Sequence, residues 1–227
     1  MNILVLGRGK TGTLVAEVAE QRGHKVTAWG AAENPAGAAL TQERLAEFDV
    51  VIDFTTPTAV LENIGAVARA GKNMVVGTTG WQTELEWAHH LADSNGIGFL
   101  YGSNFSVGVN LFFEIAETAA SAQRLGYTAA ITERHHTQKK DAPSGTAVTI
   151  QKVLGGGDGN LPEITSIREG DTVGTHVIFL DSPYDSMMLV HDAKSRLGFA
   201  EGAVRGAEWL QGKRGFYEFK DIFRELK

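Results

Sequence analysis

The stretch Met1-Asn2-Ile3-Leu4-Val5-Leu6-Gly7-Arg8-Gly9-Lys10-Thr11-Gly12 decides the fold of the chain. Residues 3–6 are a continuous apolar run, which is typical of a parallel strand buried on both faces. A G-x-G-x-x-G loop follows directly, and apolar residues then recur at helical spacing as far as a glycine stop at Gly23. A second strand is predicted over residues 25–29. Strand, glycine loop, helix and strand in this order predict a βαβ unit that binds a dinucleotide.

The glycine loop supplies the first set of candidate cofactor-binding residues. Its glycines permit a tight turn, close approach of the backbone to a pyrophosphate and close packing of helix on strand, with the phosphates at the helix N-terminus. The alternative is a tight strand–helix turn with no ligand. The candidates are Gly7, Arg8, Gly9, Lys10, Thr11 and Gly12.

The end of the second predicted strand leaves the choice between NADH and NADPH open. An acidic residue there would hold the adenosine ribose of NAD, whereas an arginine would accept the extra phosphate of NADP. The chain has Trp29, a glycine and two alanines at this point, with Glu33 displaced and no basic residue until Arg44. Arg8 and Lys10 of the glycine loop are further candidates for holding a phosphate.

The alternation of strand and helix continues to residue 101 and predicts a Rossmann-type, doubly wound parallel sheet. Ligands of such sheets bind at the carboxyl ends of the strands. Two turns lie at such ends and supply the remaining cofactor candidates, which are Gly77, Thr78, Thr79, Gly102, Ser103, Asn104 and Phe105. The predicted strands are residues 50–54, 73–76 and 97–101, and the predicted helices are residues 58–70 and 82–93.

The pattern changes beyond Ser106, where strands follow one another without intervening helices. This grouping predicts a second α+β domain built on one mixed sheet. Its predicted helices are residues 109–122 and 145–154, its predicted strands are residues 127–132, 163–168, 175–180 and 187–191, and a flexible segment is predicted over residues 155–159. A further helix over residues 200–211 and the apolar stripe Phe219, Ile222, Phe223 and Leu226 are predicted to be packing faces.

The connection between residues 133 and 147 concentrates the residues suited to chemistry. His135 and His136 could titrate near neutral pH, and Lys139 could act as a fixed cation or as an acid. Ser144, Gly145 and Thr146 begin a predicted helix, whose free backbone amides bind carboxylate or phosphate. Residue by residue, a surface histidine pair and an ordinary helix cap are the simpler interpretation. Taken together, the titratable side chains and the helix start predict a pocket that holds an anion and donates a proton.

As one string, His135-His136-x-x-Lys139-x-Asp141-Ala142-Pro143-Ser144-Gly145-Thr146-Ala147 closely resembles the signature of the 4-hydroxy-tetrahydrodipicolinate (dihydrodipicolinate) reductases of bacterial and plant lysine biosynthesis. The resemblance extends to the turn at residues 77–80 and to residues 104–110, 168–176 and 191–196. It implies NADH- or NADPH-dependent reduction of 4-hydroxy-tetrahydrodipicolinate to tetrahydrodipicolinate in the diaminopimelate route. The chain departs from many relatives by a shortening between the second and third strands, where the adenosine end of the cofactor would bind.

The resemblance also assigns roles to the candidate residues. It implies that His135 and Lys139 are the catalytic acid/base pair, and that His136, Gly145 and Thr146 bind a small dicarboxylate substrate. It implies a discontinuous dinucleotide-binding domain of residues 1–105 and 198–227, and a substrate-binding and oligomerisation domain of residues 106–197. The expected assembly is a homotetramer.

Composition excludes several other classes of protein. The formal charge of −6 argues against a nucleic-acid partner. The absence of cysteine predicts no disulfide and no thiolate metal site, and it favours the cytoplasm. The absence of any long apolar run predicts no membrane partner.

The histidine pairs do not predict a metal site. Adjacent histidines such as His89 and His90 point in different directions on a helix, so no metal site is expected. Two alternatives remain, namely another Rossmann oxidoreductase of imino or amino acids and a non-catalytic NAD(H)-sensing module.

Overall fold

The computed structural model describes residues 1–155 and 161–227. The described residues divide into two compact units, which are considered separately below. Unit 1 consists of Met1–Val107 and Leu197–Lys227, and unit 2 of Gly108–Arg196. The domain boundaries predicted from sequence differ from these bounds by one or two residues. None of the helices in the described residues has the length and apolar character needed to cross a membrane.

Unit 1 contains a parallel sheet of six strands among the described residues. The strands are β1 (Asn2–Leu6), β2 (Lys25–Trp29), β3 (Val50–Asp53), β4 (Asn73–Val76), β5 (Gly98–Tyr101) and, late in the chain, β10 (Gly215–Glu218). They lie in the order β10-β5-β4-β3-β1-β2. The order in which successive strands are added reverses between β1 and β3, and such a switch point opens a crevice at the carboxyl edge of the sheet.

The helices of unit 1 pack on both faces of this sheet because its central strands are apolar on both sides. Ile3 and Val5 of β1 face one core, and Leu4 and Leu6 face the other; all four are at most 1% exposed. The helices are α1 (Lys10–Gln21), α2 (Gln42–Leu45), α3 (Pro57–Arg69), α4 (Leu85–Asn95), α7 (Leu197–Leu210) and α8 (Phe219–Ile222), with short 3₁₀ turns at Pro35–Gly37, Gln82–Glu84 and Phe223–Glu225.

Unit 2 is built on a mixed sheet of four strands within the described residues, in the order β7-β6-β8-β9. Strand β6 pairs parallel with β7 and antiparallel with β8. Ile131 and Ile178 of this sheet, with Ile150 of a helix, form its buried core. The elements are α5 (Val107–Ala120), a 3₁₀ turn at Ser121–Leu125, β6 (Thr128–His135), α6 (Gly145–Leu154), β7 (Glu163–Arg168), β8 (Thr175–Asp181) and β9 (Ser186–Asp192).

The predicted fold class is confirmed, and the structure corrects three details. First, β6 continues to His135, whereas the sequence predicted its end at Thr132. Second, β10 and the short helices α2 and α8 were not predicted, because four residues carry too little periodicity to be recognised. Third, the helix predicted at residues 82–93 begins as a 3₁₀ turn. The predicted flexible segment 155–159 lies, apart from Gly155, outside the described residues.

Candidate active site

The glycine loop of unit 1 has the local geometry that a pyrophosphate site requires. Gly7 has a φ of +105°, and a Cβ on it would lie 2.2 Å from the carbonyl oxygen of Phe54. A Cβ on Gly12 would lie 2.1 Å from the carbonyl oxygen of Gly7, whereas one on Gly9 would meet no described atom within 4 Å. Gly9 is also the N-cap of α1 and has no side-chain cap. The backbone at Gly9 is therefore open beside the free amides of α1.

The two turns predicted from sequence follow β4 and β5 at the same edge of the sheet. A Cβ on Gly77 would overlap the ring of Phe54 at 2.2 Å. Thr78 is buried, and its hydroxyl donates to Asp53 at 2.6 Å. Phe105 packs on Phe219 with its ring centroid 4.7 Å away. The side chains of Thr78 and Phe105 are thus packed into unit 1. The other candidates in these turns are Thr79, Gly102, Ser103 and Asn104.

Glu33 is fixed just beyond β2, in the region whose sequence leaves the choice between NADH and NADPH open. Its carboxylate accepts from the amide of Gly30 at 2.9 Å and from Nη1 of Arg8 at 2.6 Å. Arg8 also donates to the carbonyl oxygen of Ala28 at 2.8 Å. The hydrogen bond from the Gly30 amide holds the pKa of Glu33 below its ordinary value. A negative charge is therefore fixed just beyond β2, near the point at which an acid would hold the ribose of NAD.

In unit 2, the extension of β6 places Glu133 and His135 on the inner face of the sheet. Alternate residues of a strand share a face, and these two are 0% and 8% exposed. Nδ1 of His135 forms a short hydrogen bond with Oε2 of Glu133. Arg168 lies opposite His135 in the β6–β7 register, and its Nη2 donates to Oε1 of Glu133 at 2.7 Å. Both carboxylate oxygens of Glu133 are therefore engaged.

The electrostatics of this cluster fix the protonation of His135. Burial by itself would raise the pKa of Glu133, but hydrogen bonds from Arg168, Ser166 and His135 lower it to about 2. Burial lowers the pKa of His135 and outweighs the opposing effect of Glu133. At neutral pH a neutral His135 therefore donates Nδ1–H to an ionised Glu133. Its Nε2 is left as the basic atom.

Space beside Nε2 of His135 depends on a glycine. A Cβ built on Gly174 would lie 2.8 Å from Nε2 and 3.2 Å from the adjacent ring carbon. Any side chain at residue 174 would therefore displace the ring or cover the atom that is free to accept a proton. Gly174 immediately precedes β8, so the same sheet that carries Glu133 also sets this clearance.

The loop after β6 carries the other predicted residues of unit 2. Nε2 of His136 accepts from Nη2 of Arg196 at 3.2 Å. Lys139 donates to Asp141 at 2.8 Å, and the amide of Lys139 closes a turn on His136. Nη2 of Arg168 donates to the carbonyl oxygen of Asp141 at 2.6 Å, which ties the loop to β7. Two cationic side chains, Lys139 and Arg196, are thus presented on this loop or in contact with it.

Helix α6 begins with the predicted cap. Ser144 accepts from the amide of Ala147 at 3.2 Å and is 2% exposed. Gly145 and Thr146 occupy the first turn, whose amides have no partner inside an α-helix. The N-terminus of α6, with its positive dipole end, is therefore suited to a carboxylate.

His176 joins the cluster from β8. It lies opposite Glu133 in the β6–β8 register, contacts the ring of His135 edge-on at 5.2 Å and shares a 3.2 Å hydrogen bond with Ser144. Glu133, His135 and His176 each place a potential metal-ligand atom within 4.8 Å of the others. Because the carboxylate is already bonded to Arg168 and His135, we interpret the group as a hydrogen-bonded acid/base cluster. Burial lowers the pKa of His176 to about 4, with a further lowering by His135.

Comparison with known families follows the same division of the chain. The family model for the N-terminus of dihydrodipicolinate reductase matches residues 1–105, and that for the C-terminus matches residues 108–223. The chain belongs to the dihydrodipicolinate reductase family. The resemblance inferred from the string at residues 135–147 is thereby confirmed.

Members of the dihydrodipicolinate reductase family match over most or all of the chain. The 4-hydroxy-tetrahydrodipicolinate reductase of Christiangramia forsetii is 36% identical over 240 aligned positions, covering 100% of this chain and 99% of the relative. That of Neisseria meningitidis serogroup B is 36% identical over 198 positions, covering 78% and 73%. The dipicolinate-bound dihydrodipicolinate reductase from Paenisporosarcina sp. TG-14 superposes with a TM-score of 0.77 at 22% identity, covering 98% and 99%, and so shows the fold.

Several residues of the unit 2 cluster received no role from the sequence. Arg168 and His176 lie within a segment that resembles the family and Glu133 lies just before another, but their convergence depends on strand order. Only the alternation of Ile131, Glu133 and His135 could have signalled a longer strand with a polar inner end. The candidates predicted from sequence all lie in unit 2, on β6, on the loop that follows or in the first turn of α6; they are His135, His136, Lys139, Gly145 and Thr146.

Proposed function

We propose that the protein is an NAD(P)H-dependent 4-hydroxy-tetrahydrodipicolinate reductase of the diaminopimelate route of lysine biosynthesis. The observation that carries the proposal is the cluster in unit 2, where Glu133 fixes a buried His135 and Lys139 lies on the following loop, ahead of the free N-terminus of α6. The chain matches the family over its whole length, and relatives named for this reaction are 36% identical. A base, a cation and an anion-binding helix end are the groups that reduction of a dicarboxylate imine needs.

Unit 1 binds the nicotinamide cofactor in this proposal. The pyrophosphate lies on the amides at Gly9, Lys10 and Thr11, where the open backbone and the N-terminus of α1 coincide. The turns after β4 and β5 contact the nicotinamide half through their backbone. The bound cofactor supplies the hydride, and the protein groups provide position and proton transfer.

NADH is the preferred cofactor in this proposal because Glu33 stands where NADP would place its extra phosphate. The acid can accept hydrogen bonds from the ribose hydroxyls, whereas a phosphate there would meet like charge. Arg8 is close enough to attract a phosphate, but it is paired with Glu33 at 2.6 Å and a second hydrogen bond holds it to Ala28. This arrangement favours NADH without excluding NADPH.

The substrate carboxylates are held in unit 2. Gly145 and Thr146 offer the amides of the first turn of α6, while His136 and Lys139 offer side-chain donors. The substrate loses water, and the resulting ring takes up a hydride and a proton, so that one reduced cofactor and one proton are consumed for each tetrahydrodipicolinate and water formed. His135 and Lys139 are the acid/base pair. Since Glu133 holds Nδ1–H of His135, Nε2 is the atom that exchanges a proton with the ring.

A homotetramer formed through the sheet of unit 2 is part of the proposal. The face of this sheet opposite its buried core carries Met188 and Val190 of β9, which are 63% and 53% exposed. The register pairs Met188 with Phe179 and Val190 with Val177, so these apolar residues lie side by side. A contiguous apolar face of this kind marks an interaction surface.

A coupled assay tests the proposed reaction. Substrate is generated in place from pyruvate and aspartate semialdehyde by the preceding synthase, and the loss of reduced cofactor is followed by absorbance. Oxidation that requires both the synthase and this protein supports the proposal. Cofactor binding without oxidation would instead favour the sensing module.

A further inference from the structure

A buried carboxylate closes β3 at the carboxyl edge of the sheet in unit 1. Asp53 is 0% exposed and its Oδ1 accepts hydrogen bonds from the hydroxyl of Thr78 at 2.6 Å and from the hydroxyl and amide of Thr55 at 2.7 and 3.0 Å. The same Thr78 oxygen accepts from the amide of Thr55 at 2.7 Å. The turn after β4, one of the two predicted to contact the nicotinamide half of the cofactor, is therefore fixed through Asp53.

The other oxygen of Asp53 forms a hydrogen bond with a residue outside this turn. Oδ2 accepts from Nδ2 of Asn63, a residue of α3 that is 1% exposed, at 2.8 Å. Oδ1 of Asn63 accepts from Nδ2 of Asn34 at 3.0 Å, and Oδ1 of Asn34 accepts from the amide of Ala39 at 3.2 Å. An unbroken chain of hydrogen bonds thus runs from Thr78 through the interior to residues 34–39.

The far end of this chain lies beside the proposed ribose site. Asn34 directly follows Glu33, and its amide donates to the carbonyl oxygen of Gly30 at 3.1 Å. Glu33 in turn accepts from the amide of Gly30. The segment that would contact the adenosine half therefore shares one residue, Asn34, with the buried chain.

We propose that Asn63 is a positioning residue that couples the two ends of the cofactor site, so that occupation of the adenosine end orders the turn at Thr78. The inference rests on the proposed cofactor site. It requires no contact between Asn63 and the cofactor. Asp53 and Asn63 are buried, Asn34 is partly buried, and the hydrogen bonds that join the three side chains are directional. A shift of Asn34 therefore changes the direction of the hydrogen bonds made by Asn63 and Asp53.

The test uses a ligand that reaches only one end. AMP carries the adenosine half and no nicotinamide, and backbone hydrogen exchange is measured by mass spectrometry in the full chain with and without saturating AMP. In the wild-type protein AMP should slow exchange in residues 30–40 and also, by about fivefold, in residues 77–80, since measured couplings between sites begin near that value. NADH serves as the control that fills both ends.

Two variants break the chain at different points. Asn63→Leu removes the link to both Asp53 and Asn34, while Asn34→Ala removes only the outer link and leaves the buried pair Asn63–Asp53 intact. In both, AMP should still slow exchange at residues 30–40 and no longer at residues 77–80. Ile64→Val is the matched control, because it trims a fully buried neighbour on the same helix without touching a hydrogen bond. This control should retain the response at both segments.

The possible outcomes separate the inference from the proposed function. If NADH slows exchange in the glycine loop but AMP leaves residues 77–80 unchanged in the wild-type protein, the coupling is wrong and the cofactor site stands. The coupling is also wrong, with the cofactor site again intact, if Asn34→Ala keeps the full response at residues 77–80. If neither ligand slows exchange in any segment, both the cofactor site and the coupling are wrong.

Discussion

Nδ1 of His135 is hydrogen-bonded to the carboxylate of Glu133, two residues earlier on the same inward face of β6. The carboxylate is completely buried and is held on its other side by Arg168. This pair defines the tautomer of the proposed acid/base histidine, because an ionised acceptor requires the proton to stay on Nδ1. Glu133 thus resembles the acid of a catalytic triad, which fixes the tautomer and the orientation of its histidine.

Glu133→Gln should lower kcat by about 100-fold, the low end of what general acid/base catalysis supplies, and leave the substrate KM nearly unchanged. The side-chain amide of the glutamine can either donate to Nδ1 of His135 or accept from it, so the tautomer of His135 is no longer fixed. Steady-state kinetics with NADH measure the effect. Glu169→Gln is the matched control, since Glu169 also pairs with an arginine, Arg134, but is exposed. Equal kcat values in the two variants would contradict a positioning role for Glu133.

Acid should destabilise the protein in two overlapping steps. The pKa of His176 is lowered from 6.5 to about 4, so the unfolded chain binds its proton first and stability falls as the pH drops from 6.5 towards 4. The pKa of Glu133 is lowered from 4.5 to about 2, so its contribution is complete above 4.5 and is lost as the pH falls towards 2.

The variant His176→Gln isolates the first of these steps. A shift of this size corresponds to on the order of 3 kcal/mol of unfolding free energy between neutral pH and pH 4. Denaturant unfolding at a series of pH values should show a shallower loss between pH 6.5 and 4 in the variant. His90→Gln, which changes an exposed histidine of α4, should keep the wild-type slope. A wild-type slope in His176→Gln would show that this histidine does not carry the acid sensitivity.

Glu33→Ala should raise kcat/KM with NADPH relative to NADH by about tenfold, which corresponds to ~1.4 kcal/mol. The substitution removes a fixed negative charge and releases Arg8 to bind the extra phosphate. Glu43→Ala, at another exposed acid of the same region, is the control and should leave the ratio unchanged. A ratio unaltered by Glu33→Ala would place the cofactor determinant elsewhere.

Met188→Lys should convert a tetramer into smaller species, because a charge would be buried in the apolar face of the unit 2 sheet. Sedimentation velocity at several protein concentrations measures the distribution. Leu125→Lys changes a 79% exposed leucine that lies outside that sheet and should leave the assembly intact. Identical sedimentation of the wild-type protein and both variants would argue against this sheet as the interface.

Much of the fold was predictable because the evidence for it is local. The apolar runs of β1, β3, β4 and β5 and the glycine loop after β1 are each recognisable within a few consecutive residues. The end of β6 was predicted three residues early for a physical reason. Glu133 and His135 continue the alternation of inward-facing residues begun by Ile131. Polar side chains predict a loop, however, when the hydrogen bonds that allow them to be buried are unknown. Four-residue β10 pairs with β5 at the edge of the sheet through a contact distant in sequence.

The candidate site was predictable only in part. His135, Lys139, Gly145 and Thr146 lie within one continuous string, so the sequence predicts them together. Arg168 comes to His135 through parallel pairing of β6 with β7, whereas His176 comes to Glu133 through antiparallel pairing with β8. Strand order and direction decide both approaches, and neither is encoded in the residues near Arg168 or His176.

The most direct test of the proposed reaction and its site compares His135→Gln, Lys139→Met and Lys140→Met with the wild-type protein in the synthase-coupled assay. Lys140 neighbours Lys139 but has no assigned role, so it controls for the loss of one positive charge. We predict synthase-dependent oxidation of NADH by the wild-type protein and Lys140→Met. His135→Gln should lose kcat by about 100-fold or more, and Lys139→Met should combine a lower kcat with a higher substrate KM. Equal kinetic constants in all four proteins, or no oxidation by the wild-type protein, would contradict the proposal.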